Sequence, residues 1–149
     1  LLPYGEFREL GQDSPTVSYN KIGHFVSTMV RTRVVSTLSP WLAKVETGSE
    51  LVLPFANKEG RFLASEGVLK ELIEKGQIAT QYVDPEGNPT YDLRYNPGGS
   101  ILAIEGISSP DGRIFGKMAH SERIGDNVAR NIPGEKDQKI FAAGIEYFM

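Results

Sequence analysis

The stretch from His24 to Val35, HFVSTMVRTRVV, constrains the fold most. In an extended chain Val26, Thr28, Val30, Thr32 and Val34 fall on one face. Phe25, Ser27, Met29, Arg31 and Arg33 fall on the other. The first set is uniformly β-branched, a composition that is stiff in a helix and packs well on a pleated surface. The period predicts a long strand and therefore a sheet at the centre of the fold. Ser39-Pro40-Trp41-Leu42 ends it, and Leu51 to Phe55 reads as a second, buried strand despite Pro54. Arg61 to Ala64 and Ile78 to Val83 are extended as well. Ile101–Ile107 and Arg113–Met118 flank Ser108-Ser-Pro-Asp-Gly112 and read as a hairpin. Two helices complete the pattern. The first is Glu66–Lys75, with Ser65 as N-cap, Gly76 just past its end, and Val68, Leu69, Leu72 and Ile73 as its apolar stripe. The second is Asp137–Phe148, burying Ile140, Phe141, Gly144, Ile145 and Phe148. Turn clusters stand at 84–89 and 95–100. The reading is α/β or α+β with a mixed sheet, in a single domain spanning 1–149 with no internal repeat.

Charge and composition exclude several functions. Sixteen Lys+Arg against nineteen Asp+Glu leave a net charge of −3, where a nucleic-acid binder would be basic. There is no cysteine, so this chain has no disulfide, no thiolate zinc site and no thiol nucleophile of its own. Two histidines, His24 and His120, argue against a multi-histidine metal centre. No apolar run approaches the ~20 residues a membrane-spanning helix needs, and no secretory leader is visible. Asn88-Pro89-Thr90 carries the proline that disqualifies a glycosylation sequon. These features fit a cytoplasmic location. The start at Leu-Leu-Pro, without Met, suggests a fragment.

Standard catalytic signatures fail. There is no GxSxG elbow and no GxGxxG. Gly112-Arg-Ile-Phe-Gly116-Lys117-Met118 imitates a phosphate loop but is one residue short and lacks the Ser/Thr that would hold magnesium. Arg31 and Arg33 could bind an anion, but their pattern favours the solvated face of a strand. The constellation that remains is His120-Ser121-Glu122-Arg123, directly after a strand. A carboxylate two residues from an imidazole can reach Nδ1–H, fix the tautomer and leave Nε2 free to handle a proton. On spacing alone, an exposed histidine beside an unrelated glutamate is the favoured reading, and a metal site is weaker still.

Gly116-Lys-Met-Ala-His-Ser-Glu-Arg123 closely resembles the His/Glu motif of the glutaminase domain of phosphoribosylformylglycinamidine synthases. Leu1-Leu-Pro-Tyr-Gly-Glu6, Asp13-Ser-Pro-Thr16, Met29-Val-Arg-Thr-Arg33, Ser39-Pro-Trp-Leu42 and Glu59-Gly-Arg-Phe62 are similar to stretches of the same domain. So are Gln81-Tyr-Val-Asp84, Tyr95-Asn-Pro97, Ile104-Glu-Gly-Ile107, Ser109-Pro-Asp-Gly112 and Asn131-Ile-Pro-Gly134, in chain order. The resemblance covers essentially the whole chain. It looks more like the long single-chain form than the separate small subunit.

The resemblance implies a class I glutamine amidotransferase of flavodoxin-like, doubly wound α/β fold, here truncated at its N-terminus. It implies a Cys–His–Glu triad that hydrolyses glutamine. It also implies that the ammonia passes to a synthetase region of the same enzyme, where ATP and magnesium serve to aminate formylglycinamide ribonucleotide; no cofactor is implied for this fragment. By the motif match His120 is the general base and acid, and Glu122 orients it. Asn57, Glu59 and Asn96 are substrate-pocket candidates. The family's cysteine stands shortly before the segment that Leu1-Leu2-Pro3 resembles, so this fragment is expected to be inactive alone. The chain departs from the family at Ala56-Asn57-Lys58, where Ser-His-Gly is usual, at Gly98, where Asn is usual, and at His24-Phe25, where Arg-His is usual. The altered 56–58 loop motivates an alternative: a non-catalytic domain retained for docking to a synthetase partner. Truncation is expected to expose sheet edge or apolar surface and to favour self-association.

Overall fold

A computed structural model describes residues 2–149; Leu1, the first residue of the matched Leu1–Glu6 stretch, lies outside them. Seven strands and two helices follow in the order β1 (Thr16–Ser18), β2 (Val26–Val34), β3 (Glu50–Asn57), β4 (Arg61–Leu63), α1 (Glu66–Glu74), β5 (Ile78–Tyr82), β6 (Ile104–Ser108), β7 (Phe115–Lys117) and α2 (Ile140–Phe148). The alternation of the long strand is realised: Val30, Thr32 and Val34 are buried, while Arg31 between them is exposed. β2 sits inside a five-stranded sheet of order β3-β2-β5-β6-β7, and β1 pairs with β4 in a separate ribbon.

The sheet is not mixed. Every pairing among the described residues is antiparallel. Parallel neighbours need a crossover that returns to the same sheet. Here the one helix between strands, α1, links β4 of the small ribbon to β5 of the large sheet, so no βαβ unit closes. The doubly wound layout expected from the family is therefore not present among the described residues.

Pro54 is tolerated because β3 is an edge strand, where a missing N–H costs no ladder bond. Opposite Met29, its carbonyl is free to accept from elsewhere. Arg31 and Arg33 are not simply solvated. Arg31 reaches Glu50 and the Pro85 carbonyl, and Arg33 donates to the Gly87 carbonyl at 3.0 Å, so both brace the 84–89 turn.

One core cluster joins Val30, Val34, Leu53, Phe55 and Tyr82 across β2, β3 and β5, with Leu42 from the turn between β2 and β3. The other places Leu69 and Leu72 of α1 against Phe62, Ile78, Ile104 and Ile107. Ser65 is the N-cap residue of α1, although its hydroxyl makes no capping bond, and Gly76 takes the left-handed conformation (φ +64°) that ends the helix. Ile73, assigned to the buried stripe, is 58% exposed.

α2 differs more. It starts at Ile140, because Lys139 is left-handed and the Asp137 carboxylate accepts from the Lys139 N–H, capping a loop rather than a helix turn. Its buried residues are Ala143 and Gly144, while Phe141, Ile145 and Phe148 are about half exposed. The helix docks on Trp41 of a short 3-10 turn at Pro40–Leu42, and at position 144 the indole leaves no room for a side chain. No helix among the described residues is long and apolar enough to cross a membrane.

Candidate functional site

β7 runs out at Lys117 and the chain turns across the end of β3 into His120. The backbone groups of this turn can be counted in full, and each finds a partner. Met118 N–H donates to both the backbone carbonyl and the side chain of Glu105, each at 3.1 Å. The Met118 carbonyl accepts from Asn57 Nδ2 at 2.9 Å. Ala119 N–H donates to Glu105 Oε1 at 2.7 Å, and the Ala119 carbonyl accepts from Lys117 Nζ at 2.6 Å. His120 N–H donates to the Pro54 carbonyl at 2.8 Å. The His120 carbonyl accepts from Arg123 N–H at 3.2 Å. Behind the histidine, Ser121 donates to Gln138 at 2.6 Å with both side chains buried. The backbone that carries His120 is thus pinned from three strands.

His120 Nδ1 donates to Glu122 Oε1 at 2.8 Å. An ionised carboxylate can only accept, so Nδ1 carries the hydrogen and the neutral ring leaves Nε2 as an acceptor. Nε2 is covered and has no hydrogen-bond partner among the described residues. Burial works to raise the Glu122 carboxyl. Its own backbone N–H, the bond from His120 and the charges of His120 and Arg123 outweigh that and hold it below its ordinary value. The pair therefore has the geometry of an oriented imidazole with a free proton-handling nitrogen.

The other candidates separate. Asn57 is brought to the site, with its amide nitrogen committed to the Met118 carbonyl. Glu59 is exposed in the turn between β3 and β4. Asn96 is fully buried; its amide nitrogen donates to the Thr90 and Ser100 carbonyls and its oxygen accepts from Ser100 N–H. That spends both amide hydrogens inside its own loop. No hydrogen bond joins Glu59 or Asn96 to His120 or Glu122. The departure at Gly98 has a local reason: a Cβ there would lie 2.2 Å from the Gly60 carbonyl oxygen. His24 Nδ1 rests on the Phe25 carbonyl at 2.9 Å, and no hydrogen bond joins its ring to His120 or Glu122.

Sequence reasoning missed Glu105 and Lys117. Glu105 is 1% exposed and takes Lys117 Nζ at 3.1 Å and the Thr80 hydroxyl at 2.6 Å. Nearby Tyr82 is buried, and burial, with the Glu105 charge second, pushes its phenol well above the ordinary range. The available signal was an acidic residue inside the apolar run Ile104-Glu-Gly-Ile107, since a charge there must be paired. Lys117 belongs to that pairing, which is why the Gly112–Met118 stretch is a hairpin return and not a phosphate cradle.

Residues 1–148 match the family of CobB/CobQ-like glutamine amidotransferase domains. The phosphoribosylformylglycinamidine synthase subunit PurQ of Thermomicrobium roseum is 37% identical over 80% of this chain and 48% of its own length. That of Trichormus variabilis is 33% identical over 93% of this chain and 56% of its own length. These relatives are named as a separate subunit, where the resemblance leads one to expect the long single-chain form. Among solved structures, a chain of PurLQS from Thermotoga maritima superposes with a TM-score of 0.66 at 24% identity, covering 91% of this chain and 54% of that one. At that identity the likeness speaks for the fold alone. The chain spans about half the length of the curated relatives it matches.

Proposed function

The chain belongs to the CobB/CobQ-like glutamine amidotransferase domain family, with PurQ subunits among its relatives, and from that premise we propose that it carries the histidine–carboxylate part of a glutaminase site. The observation that carries the reading is the 2.8 Å bond from His120 Nδ1 to Glu122 with Nε2 left unpartnered. The substrate is glutamine, and the thiol comes from outside this sequence, which has no cysteine. Nε2 takes the thiol proton as the sulfur attacks the side-chain amide carbon. It then returns a proton to the departing ammonia, leaving a thioester. A water deprotonated at the same nitrogen releases glutamate. Glu122 holds the ring and stabilises the imidazolium. Amination of formylglycinamide ribonucleotide with ATP and magnesium belongs, in this reading, to a synthetase partner. Asn57 serves by holding the backbone that carries His120.

The test extends the protein upstream with a segment bearing the nucleophilic cysteine and measures glutamate release. This polypeptide alone is expected to show no turnover and the extended protein to be active. His120→Ala should then cost on the order of 10³-fold or more, the scale of losing a triad member. Activity that survives His120→Ala would sink the assignment.

One observation favours a docking role as a second reading. Phe141, Ile145 and Phe148 of α2 are each about half exposed and together present apolar surface to solvent. Synthetase binding by an extended protein that carries the cysteine yet hydrolyses no glutamine would select this reading over the first.

A further inference from the structure

Glu105 has no role in the proton transfers above, yet it is a buried carboxylate, 1% exposed, with four polar partners. Its Oε1 collects Met118 N–H, Ala119 N–H and Lys117 Nζ at 3.1, 2.7 and 3.1 Å, and its Oε2 accepts from Thr80 at 2.6 Å. Two consecutive backbone N–H groups aimed at one oxygen form a small anion nest, and here the chain fills it with its own carboxylate. The arrangement is expensive to bury unless each member is paired. Lys117 closes it, spending a second donor on the Ala119 carbonyl. Gly106, next to Glu105, makes the approach possible, because a Cβ there would stand 2.6 Å from Thr80 Oγ1. The residue that follows these two nest amides is His120.

We propose that Glu105 is a positioning residue for His120: through the Met118 and Ala119 amides it sets the backbone from which the imidazole reaches Glu122. Lys117 is its charge partner, and Thr80 aims the carboxylate. This rests on His120 being the proton-handling residue. The measured quantity, however, is the orientation of the ring, which is read without turnover. A failure of the positioning role is therefore distinguishable from a failure of the glutaminase reading.

The probe is the His120 imidazole itself, followed by ¹⁵N–¹H correlation spectra across pH in this chain, with His24 as an internal control. The groups facing this region are Glu105, Lys117, Tyr82, Glu122 and Arg123. The unaltered protein is expected to show the hydrogen on Nδ1. Two double variants remove the buried charges together, so that neither is left unpaired. Glu105→Gln with Lys117→Met keeps an oxygen for the two amides and should retain the Nδ1–H signal. Glu105→Leu with Lys117→Met removes the acceptor at similar volume. It should lose that signal, with the His24 spectrum unchanged. An unchanged His120 spectrum in the folded leucine variant would overturn the proposal, as would equal loss in both double variants. Should the leucine variant not fold, Thr80→Val, which removes only the hydroxyl that aims Oε2, gives the decision. A partial loss of the Nδ1–H signal supports the proposal, and an unchanged one overturns it.

Discussion

Gly144→Ala tests how α2 is held. A Cβ at 144 would lie 2.1 Å from Trp41 Cζ3 and 2.4 Å from Cε3. Ordinary contact begins at 3.4 Å, so helix and indole must separate by 3.4 − 2.1 = 1.3 Å. The indole cannot simply turn away, because its Nε1 donates to the Arg113 carbonyl at 2.8 Å and its ring packs, tilted at 45°, against Phe148 at 5.5 Å. Overpacking of this kind costs about 1–3 kcal/mol. Replacing an interior helical glycine by alanine returns about 1 kcal/mol. The net is a loss of roughly 0–2 kcal/mol, concentrated on docking. Trp41 is the single tryptophan, so its emission reports this contact alone. The expected result is a red shift of that emission and faster amide exchange over 140–148. At roughly 2–4 °C per kcal/mol for a chain of this size, the melting temperature falls by no more than about 8 °C. Unchanged emission with a raised melting temperature would refute the reasoning, since helix propensity alone would then govern the site.

Two further outcomes follow from the candidate site and its loop. Because the folded Glu122 carboxyl lies below its ordinary value of 4.5, its contribution is complete above that value and is lost as pH falls through the lower folded one; a side-chain carboxyl titration by NMR should place the midpoint under 4.5, and a midpoint above it would contradict the His120 bond. Asn96→Ala removes three internal hydrogen bonds from a fully buried side chain, a loss of roughly 3 kcal/mol in denaturant unfolding at about 1 kcal/mol each; a change below about 0.5 kcal/mol, the size of an ordinary surface substitution, would mean the loop does not depend on it.

Local pattern alone determined a good deal about this protein. The β-branched alternation placed β2 and its buried face, because side-chain direction in a strand depends only on parity. The helix at 66–74 followed from its stripe and its closing glycine. The His120–Glu122 pair was legible because its partners are two residues apart and need no long-range contact to meet. What remained hidden depended on residues distant in sequence. Strand direction was decided by which strands became neighbours, and with α1 leading from one sheet to another nothing was left to make a parallel pair. The sequence names Asn57 as a pocket candidate but does not show its bond to Met118, 61 residues on. The buried face of α2 was misassigned because hydrophobicity does not reveal that Trp41 occupies the space a side chain would need. Glu105 sits in a matched stretch, Ile104-Glu-Gly-Ile107, that says nothing of its role. Its meaning lies in a threonine of β5, a lysine of β7 and the two amides after it converging on one carboxylate, and only the folded chain brings them together, because a buried charge is tolerable only where such partners surround it.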